Sequence, residues 1–156
     1  MRMALRVGDR LPSFSLVDQN GDSRSSEDLD GQRLVLFFYP KDDTPGCTLQ
    51  ACSFRDNHDE LAGLGAVVWG VSADDAVSHR RFAGRHNLPF PLLSDPGSRL
   101  RQRFGVPRTL GLLPGRVTYI SDEQGVIRHI FDNLLDGPAH VREARRILQN
   151  LSGSTP

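Results

Sequence analysis

Three consecutive stretches decide how this chain folds: Leu34-Val-Leu-Phe-Phe-Tyr39, then Pro40-Lys-Asp-Asp-Thr-Pro-Gly-Cys-Thr-Leu-Gln-Ala-Cys52, and finally Ala66-Val-Val-Trp-Gly-Val71. The first and last are continuously apolar, as strands covered on both faces are. Between them a helical pattern runs over residues 45–64, with Ala51, Phe54, Leu61 and Leu64 on one face with Cys47. Strand, helix and strand in this order predict parallel strands joined by a right-handed crossover.

Working outward, the pattern predicts a second helix over residues 75–86, a short strand over 91–94 and a short helix over 98–104. A Gly/Pro-rich connection covers 105–115. Residues 117–121 and 126–131 flank Asp122-Glu-Gln-Gly125, a hairpin signature. A last helix over 138–151 turns Val141, Ala144, Ile147, Leu148 and Leu151 inward. The sum is an α/β sandwich around one mixed sheet. Its 156 residues suit one domain, expected over 1–152, with a loose tail at 153–156.

Nineteen basic residues balance nineteen acidic ones, which argues against bulk electrostatic attraction to nucleic acid or anionic lipid. The longest strongly apolar run, Leu34 to Tyr39, is too short to span a bilayer, and the N-terminus lacks the long apolar stretch of a secretory signal. A cytoplasmic protein is expected. The arginines at 80, 81, 99, 101, 103 and 108 make the middle of the chain locally basic, by default a solvated face. His79 and His86 share a face of the second helix with Phe82 but lie about 10 Å apart along it, too far for one metal. Trp69 reads as a packed core residue whose fluorescence would report unwinding of the first helix.

Cys47 and Cys52 are the only cysteines. Two do not staple a fold, so the pair reads as chemically active. Thr44-Pro45-Gly46-Cys47 has the grammar of a helix start: Thr as N-cap, Pro in the first turn. Free backbone N–H groups and the positive end of the helix dipole there favour a thiolate, the reactive form. Residues five apart on a helix are rotated by about 140°, with Cα atoms about 8–9 Å apart, whereas a disulfide needs less than about 7 Å. Any Cys47–Cys52 bond therefore requires the first turns to unwind. The spacing alone is also compatible with two small buried hydrophobes, and it does not suit zinc.

Pro40-x-x-x-Thr44-x-x-Cys47 resembles the peroxiredoxin active-site signature. The longer string from Phe38 through Cys52 to Asp56 resembles the peroxiredoxin Q branch, also called bacterioferritin comigratory protein. The resemblance extends over Val7-Gly-Asp-x-x-Pro-x-Phe14, Leu93-Ser-Asp95, Phe104-Gly-Val106 and Gly115-Arg-Val-Thr-Tyr-Ile120. It implies a thioredoxin-like fold and reduction of hydrogen peroxide and alkyl hydroperoxides, with no cofactor and no metal. By that resemblance Cys47 is the peroxidatic cysteine and Cys52 the resolving one. Thr44 would hydrogen-bond the peroxide, Pro40 would shield the thiolate from water, and Arg116 would lie against the thiolate and polarise the peroxide. Thioredoxin or a similar dithiol protein would reduce the resulting disulfide. Tyr39 would line the pocket. The connection over residues 107–114 resembles shorter plant- and cyanobacterial-type Q sequences and would shape the pocket mouth. With both cysteines on one helix and no extension carrying a distant cysteine, a monomer is expected. Two other readings stay open: a general thiol–disulfide oxidoreductase, disfavoured by the lack of Cys-x-x-Cys, and a non-enzymatic redox sensor signalling by helix unwinding.

Overall fold

The computed structural model describes residues 4–152 apart from 30, 107 and 110–112. The expected tail and much of the 107–114 connection lie outside the described residues.

The strands are β1 (Ser15–Val17), β2 (Ser23–Ser25), β3 (Arg33–Phe38), β4 (Ala66–Ser72), β5 (Leu92–Ser94), β6 (Arg108–Thr109), β7 (Leu113–Pro114), β8 (Val117–Ser121) and β9 (Ile127–Asp132). The helices are α1 (Pro45–Asp56), α2 (His58–Gly63), α3 (Ala76–His86), α4 (Arg99–Phe104) and α5 (Gly137–Ser152). Seven strands form one sheet in the order β2-β1-β5-β4-β3-β8-β9, and β6 pairs with β7 in a separate two-stranded ribbon. The crossover predicted around α1 is present: β3 and β4 are parallel, with Leu36 opposite Trp69. On its other edge β3 runs antiparallel to β8, with Phe38 opposite Val117. The pairing of β8 with β9 closes the predicted hairpin.

Strand alternation divides β3 between two cores. Val35, Phe37 and Tyr39 pack with Phe54 of α1, Leu61 of α2, Phe82 of α3 and Val141, Ala144 and Leu148 of α5. Leu34, Leu36 and Phe38 pack with Phe14, Trp69, Leu100 and Phe104 on the opposite face. A stacked contact between Phe37 and Phe54, ring centroids 4.5 Å apart, seats α1 on the sheet. Trp69 meets Phe14 edge to face on the side away from α1. A change confined to α1 therefore reaches Trp69 only through the sheet, which makes it a poorer reporter than the sequence suggests.

Two local features differ from expectation. The helix over 45–64 is broken at Asn57. There the backbone N–H bonds Phe54 O, three residues back, while the side-chain amide takes Ser53 O at 2.8 Å. Asn57 also accepts from Arg145 of α5. The strands β1 and β2 carry no apolar run for periodicity to detect. Their turn is organised by buried Asp18, which accepts the N–H groups of Asn20 and Asp22 and pairs with Arg24 at 3.0 Å.

Candidate active site

The end of β3, the start of α1 and the start of β8 converge on one corner of the sheet, because β3 pairs with β8 and α1 follows β3 directly. Cys47 sits in the first turn of α1 and is buried; Cys52 lies in the middle of the same helix and is half-buried. Both are free thiols on an intact helix.

Thr44 occupies the N-cap position in extended conformation, but its side chain makes no cap bond. The hydroxyl donates instead to Lys41 O at 2.9 Å. The first helical bond runs from Thr48 N to Thr44 O at 2.8 Å. The N–H groups of Gly46 and Cys47 precede it and have no helical carbonyl to bond, as at any helix start. Pro40 is half-buried and follows Tyr39, whose own N–H is held by Val71 O of β4.

Arg116 immediately precedes β8 and is 4 % exposed, which is unusual enough for an arginine to require partners. Its Nε donates to Leu134 O at 2.9 Å and one terminal nitrogen donates to Gln50 Oε1. The other terminal nitrogen lies 3.0 Å from where a Cβ on Gly46 would stand. The guanidinium thus covers the residue before Cys47, and a side chain at position 46 would press against it. The structure brings Arg116 and the start of α1 together, with Thr44 as the residue that begins the helix.

Several residues that hold this corner were not singled out from the sequence. Gln50 is fully buried one turn beyond Cys47. A Cβ on Gly137 would come within 2.7 Å of the Gln50 Cβ, so α5 starts in direct contact with α1. His140 is fully buried; its ring accepts from the Thr118 hydroxyl at 2.7 Å and donates to Asn133 O at 2.8 Å. That bond steadies the segment whose Leu134 carbonyl orients Arg116. Arg101 donates to Tyr39 O at 3.1 Å and to Gly115 O at 2.8 Å, tying the residue before Pro40 to the residue before Arg116. Rather than a wholly solvated face, the basic stretch supplies staples, since Arg103 also donates to Ser13 O and Arg80 to Gln19 O. Gln50 lay in the quoted motif, where its polarity at a helix position facing the core was the available signal.

Burial, reinforced by the Arg116 charge, lowers the His140 pKa from 6.5 to about 4. Between those values the unfolded chain binds a proton at this site that the folded protein does not, so stability falls as pH drops. From pH 7 to pH 5 the loss from this group is about 2 kcal/mol. Urea unfolding at the two pH values checks this: His140→Gln is expected to lose that share of the pH dependence.

Among the described residues no helix is long and apolar enough to cross a membrane. The AhpC/TSA family matches residues 7–130. Chloroplastic peroxiredoxin Q of Triticum aestivum is 48% identical over 145 residues, covering 92% of this chain and 67% of that protein. Its chloroplast location lends no support to the cytoplasmic expectation. Among solved structures, peroxidoxin BcpB of Mycobacterium tuberculosis superposes with a TM-score of 0.86 at 34% identity, covering 94% of this chain and 98% of the other. The C47S mutant of Xylella fastidiosa PrxQ does so with a TM-score of 0.83 at 26% identity, covering 97% and 98%. The mixed sheet flanked by helices is the thioredoxin-like fold these proteins share. With more than three quarters of its length inside the family match and close to half its residues identical to a named relative, the chain belongs to the AhpC/TSA family, on its peroxiredoxin Q branch.

Proposed function

We propose that this peroxidase works as a monomeric two-cysteine enzyme of one domain over residues 1–152. It reduces hydrogen peroxide and alkyl hydroperoxides through Cys47, resolves through Cys52 and is regenerated by thioredoxin or a similar dithiol protein. The observation that carries this reading is one intact helix bearing both free thiols, with Cys47 in its first turn and the Arg116 guanidinium over Gly46.

The Cys47 thiolate attacks one peroxide oxygen. An S–O bond forms as the O–O bond breaks, and the leaving alkoxide takes up a proton to become an alcohol, or water from hydrogen peroxide. Cys47 is left as a sulfenic acid. Arg116 and the first-turn N–H groups of Gly46 and Cys47 stabilise the negative charge that develops on oxygen. Having given its own proton to Lys41 O, the Thr44 hydroxyl has lone pairs left to accept the peroxide O–H. Pro40 limits water access from the β3 side. In the second step the first turns of α1 unwind, the Cys52 sulfur displaces hydroxide from the Cys47 sulfenic acid, and water and a disulfide result. A dithiol then reduces that disulfide by exchange. Because both sulfurs belong to one helix, no second subunit is needed.

Intact mass and free-thiol count, followed over seconds after one equivalent of hydrogen peroxide, test the cycle. The expected result is the loss of two hydrogens and both thiols, restored by thioredoxin. Two thiols persisting for minutes would overturn it.

A further inference from the structure

Asp42 and His79 are buried titratable groups that the peroxide chemistry above does not use, 5 % and 0 % exposed. His79 Nδ1 lies 2.7 Å from Asp42 Oδ2, and its Nε2 lies 3.1 Å from Leu93 O. Asp42 also accepts the Tyr39 hydroxyl on Oδ1 and the Ser78 hydroxyl on Oδ2, at 2.5 and 2.8 Å. Burial, with the Asp42 carboxylate beside it, pushes the Tyr39 phenol well up, so it remains a donor. The Asp42 backbone N–H goes to Asp74, which Ser72 also holds. Asp42, Asp74 and His79 are close enough to suggest a metal site. Instead the Asp42 carboxylate is bonded to His79 and to the Tyr39 and Ser78 hydroxyls, and Asp74 accepts the Asp42 backbone N–H and the Ser72 hydroxyl, which makes a hydrogen-bond node.

The node lies midway between Pro40 and Thr44. Next to it, Asp43 takes a left-handed conformation at φ 60°, uncommon outside glycine but tolerated by aspartate, and pairs with Arg85 at 3.0 Å. The loop is held in this shape by α3 and the β4 end through contacts 32 to 42 residues away. That shape sets where Thr44 stands and where α1 begins.

We propose that Asp42 and His79 are positioning residues for peroxide reduction: the buried pair holds the Pro40–Thr44 loop so that Thr44 and the first turn of α1 meet the peroxide in register. The proposal rests on the Cys47 reading above. It predicts an effect confined to the oxidative half of the cycle, because reduction of the disulfide acts on an α1 whose first turns have already left this geometry.

The test uses the full chain as His79→Gln and as Tyr39→Phe, which removes one Asp42 donor at nearly constant volume. Single-turnover oxidation of Cys47 by hydrogen peroxide is measured in a Cys52→Ser background. Reduction of the preformed disulfide by dithiothreitol is measured with both cysteines present. Oxidation is expected to slow roughly 10- to 100-fold in His79→Gln, the scale of a displacement near 1 Å, and several-fold in Tyr39→Phe. Disulfide reduction stays within about twofold of native in both, the behaviour of a rigid strut acting on one step. Oxidation rates within about twofold of native, or equal losses in both half-reactions, overturn the proposal. If His79→Gln does not fold, Tyr39→Phe decides by the same criterion. A native protein that keeps both thiols in peroxide overturns the Cys47 reading itself, before any variant is made, and this proposal with it.

Discussion

Cys47→Ser is expected to remove peroxide turnover by roughly 10⁴- to 10⁶-fold, the scale on which an enzyme loses rate when its nucleophile is taken away. A hydroxyl is far less acidic than a thiol and supplies almost no anion at neutral pH, and the helix start cannot close that gap. The substitution is small. Serine is close to cysteine in shape, and the N–H groups of the first turn of α1, which have no carbonyl a turn earlier in the helix, offer the buried oxygen hydrogen-bond partners. The variant should therefore fold, and circular dichroism with a peroxide-consumption assay separates loss of chemistry from loss of structure. Cys52→Ser is the informative companion. It should consume one equivalent of peroxide, accumulate a sulfenic acid at Cys47 and then stall with thioredoxin as reductant. Full multiple turnover by Cys47→Ser would mean that the first helical turn is not where the chemistry happens.

Arg116→Ala has the second largest expected effect, a fall of roughly 10²- to 10³-fold in kcat/KM for hydrogen peroxide, comparable to the removal of one preorganised donor from an anion site. Two of its nitrogens are committed to Leu134 O and Gln50, and those bonds fix the orientation of the third toward Gly46. Truncation leaves both acceptors without their donor, at about 1–3 kcal/mol for each buried group. Chemical denaturation is therefore measured beside the kinetics. Arg116→Lys should recover little of the rate. A single ammonium on a flexible stem keeps the charge but cannot hold two fixed partners while presenting a donor to the helix start. Near-native kcat/KM for Arg116→Lys would show that charge alone is sufficient.

The parts of the site that can be read along the chain are those whose causes are local. A proline and a threonine ahead of Cys47 announce a helix start because N-caps and first-turn prolines act within four residues. Continuous apolar runs on either side announce buried parallel strands because each residue is covered from both faces. Even so, Thr44 shows the boundary of local reading. It stands at the N-cap position, yet its hydroxyl turns back to Lys41, since the loop behind it is bent by partners outside the motif. The break at Asn57 has a similar origin, with Arg145 of α5 binding a side chain that also tightens the end of α1.

The sequence by itself determined the α/β class, the crossover, the closing hairpin and helix, and the pair of cysteines on one helix. It also determined, through the similarity carried by residues 38–56 and 115–120, which arginine to watch. Only the tertiary structure decided what holds that arginine and the loop before Cys47. Gln50 and Arg116 are 66 residues apart, Asp42 and His79 37, and Arg101 and Tyr39 62. A buried polar side chain is tolerable only where its partner arrives in three dimensions, and no periodicity records that meeting. Apolar burial follows a repeat along one element, whereas a hydrogen bond to a guanidinium or an imidazole depends on where two distant elements are brought together by the sheet between them.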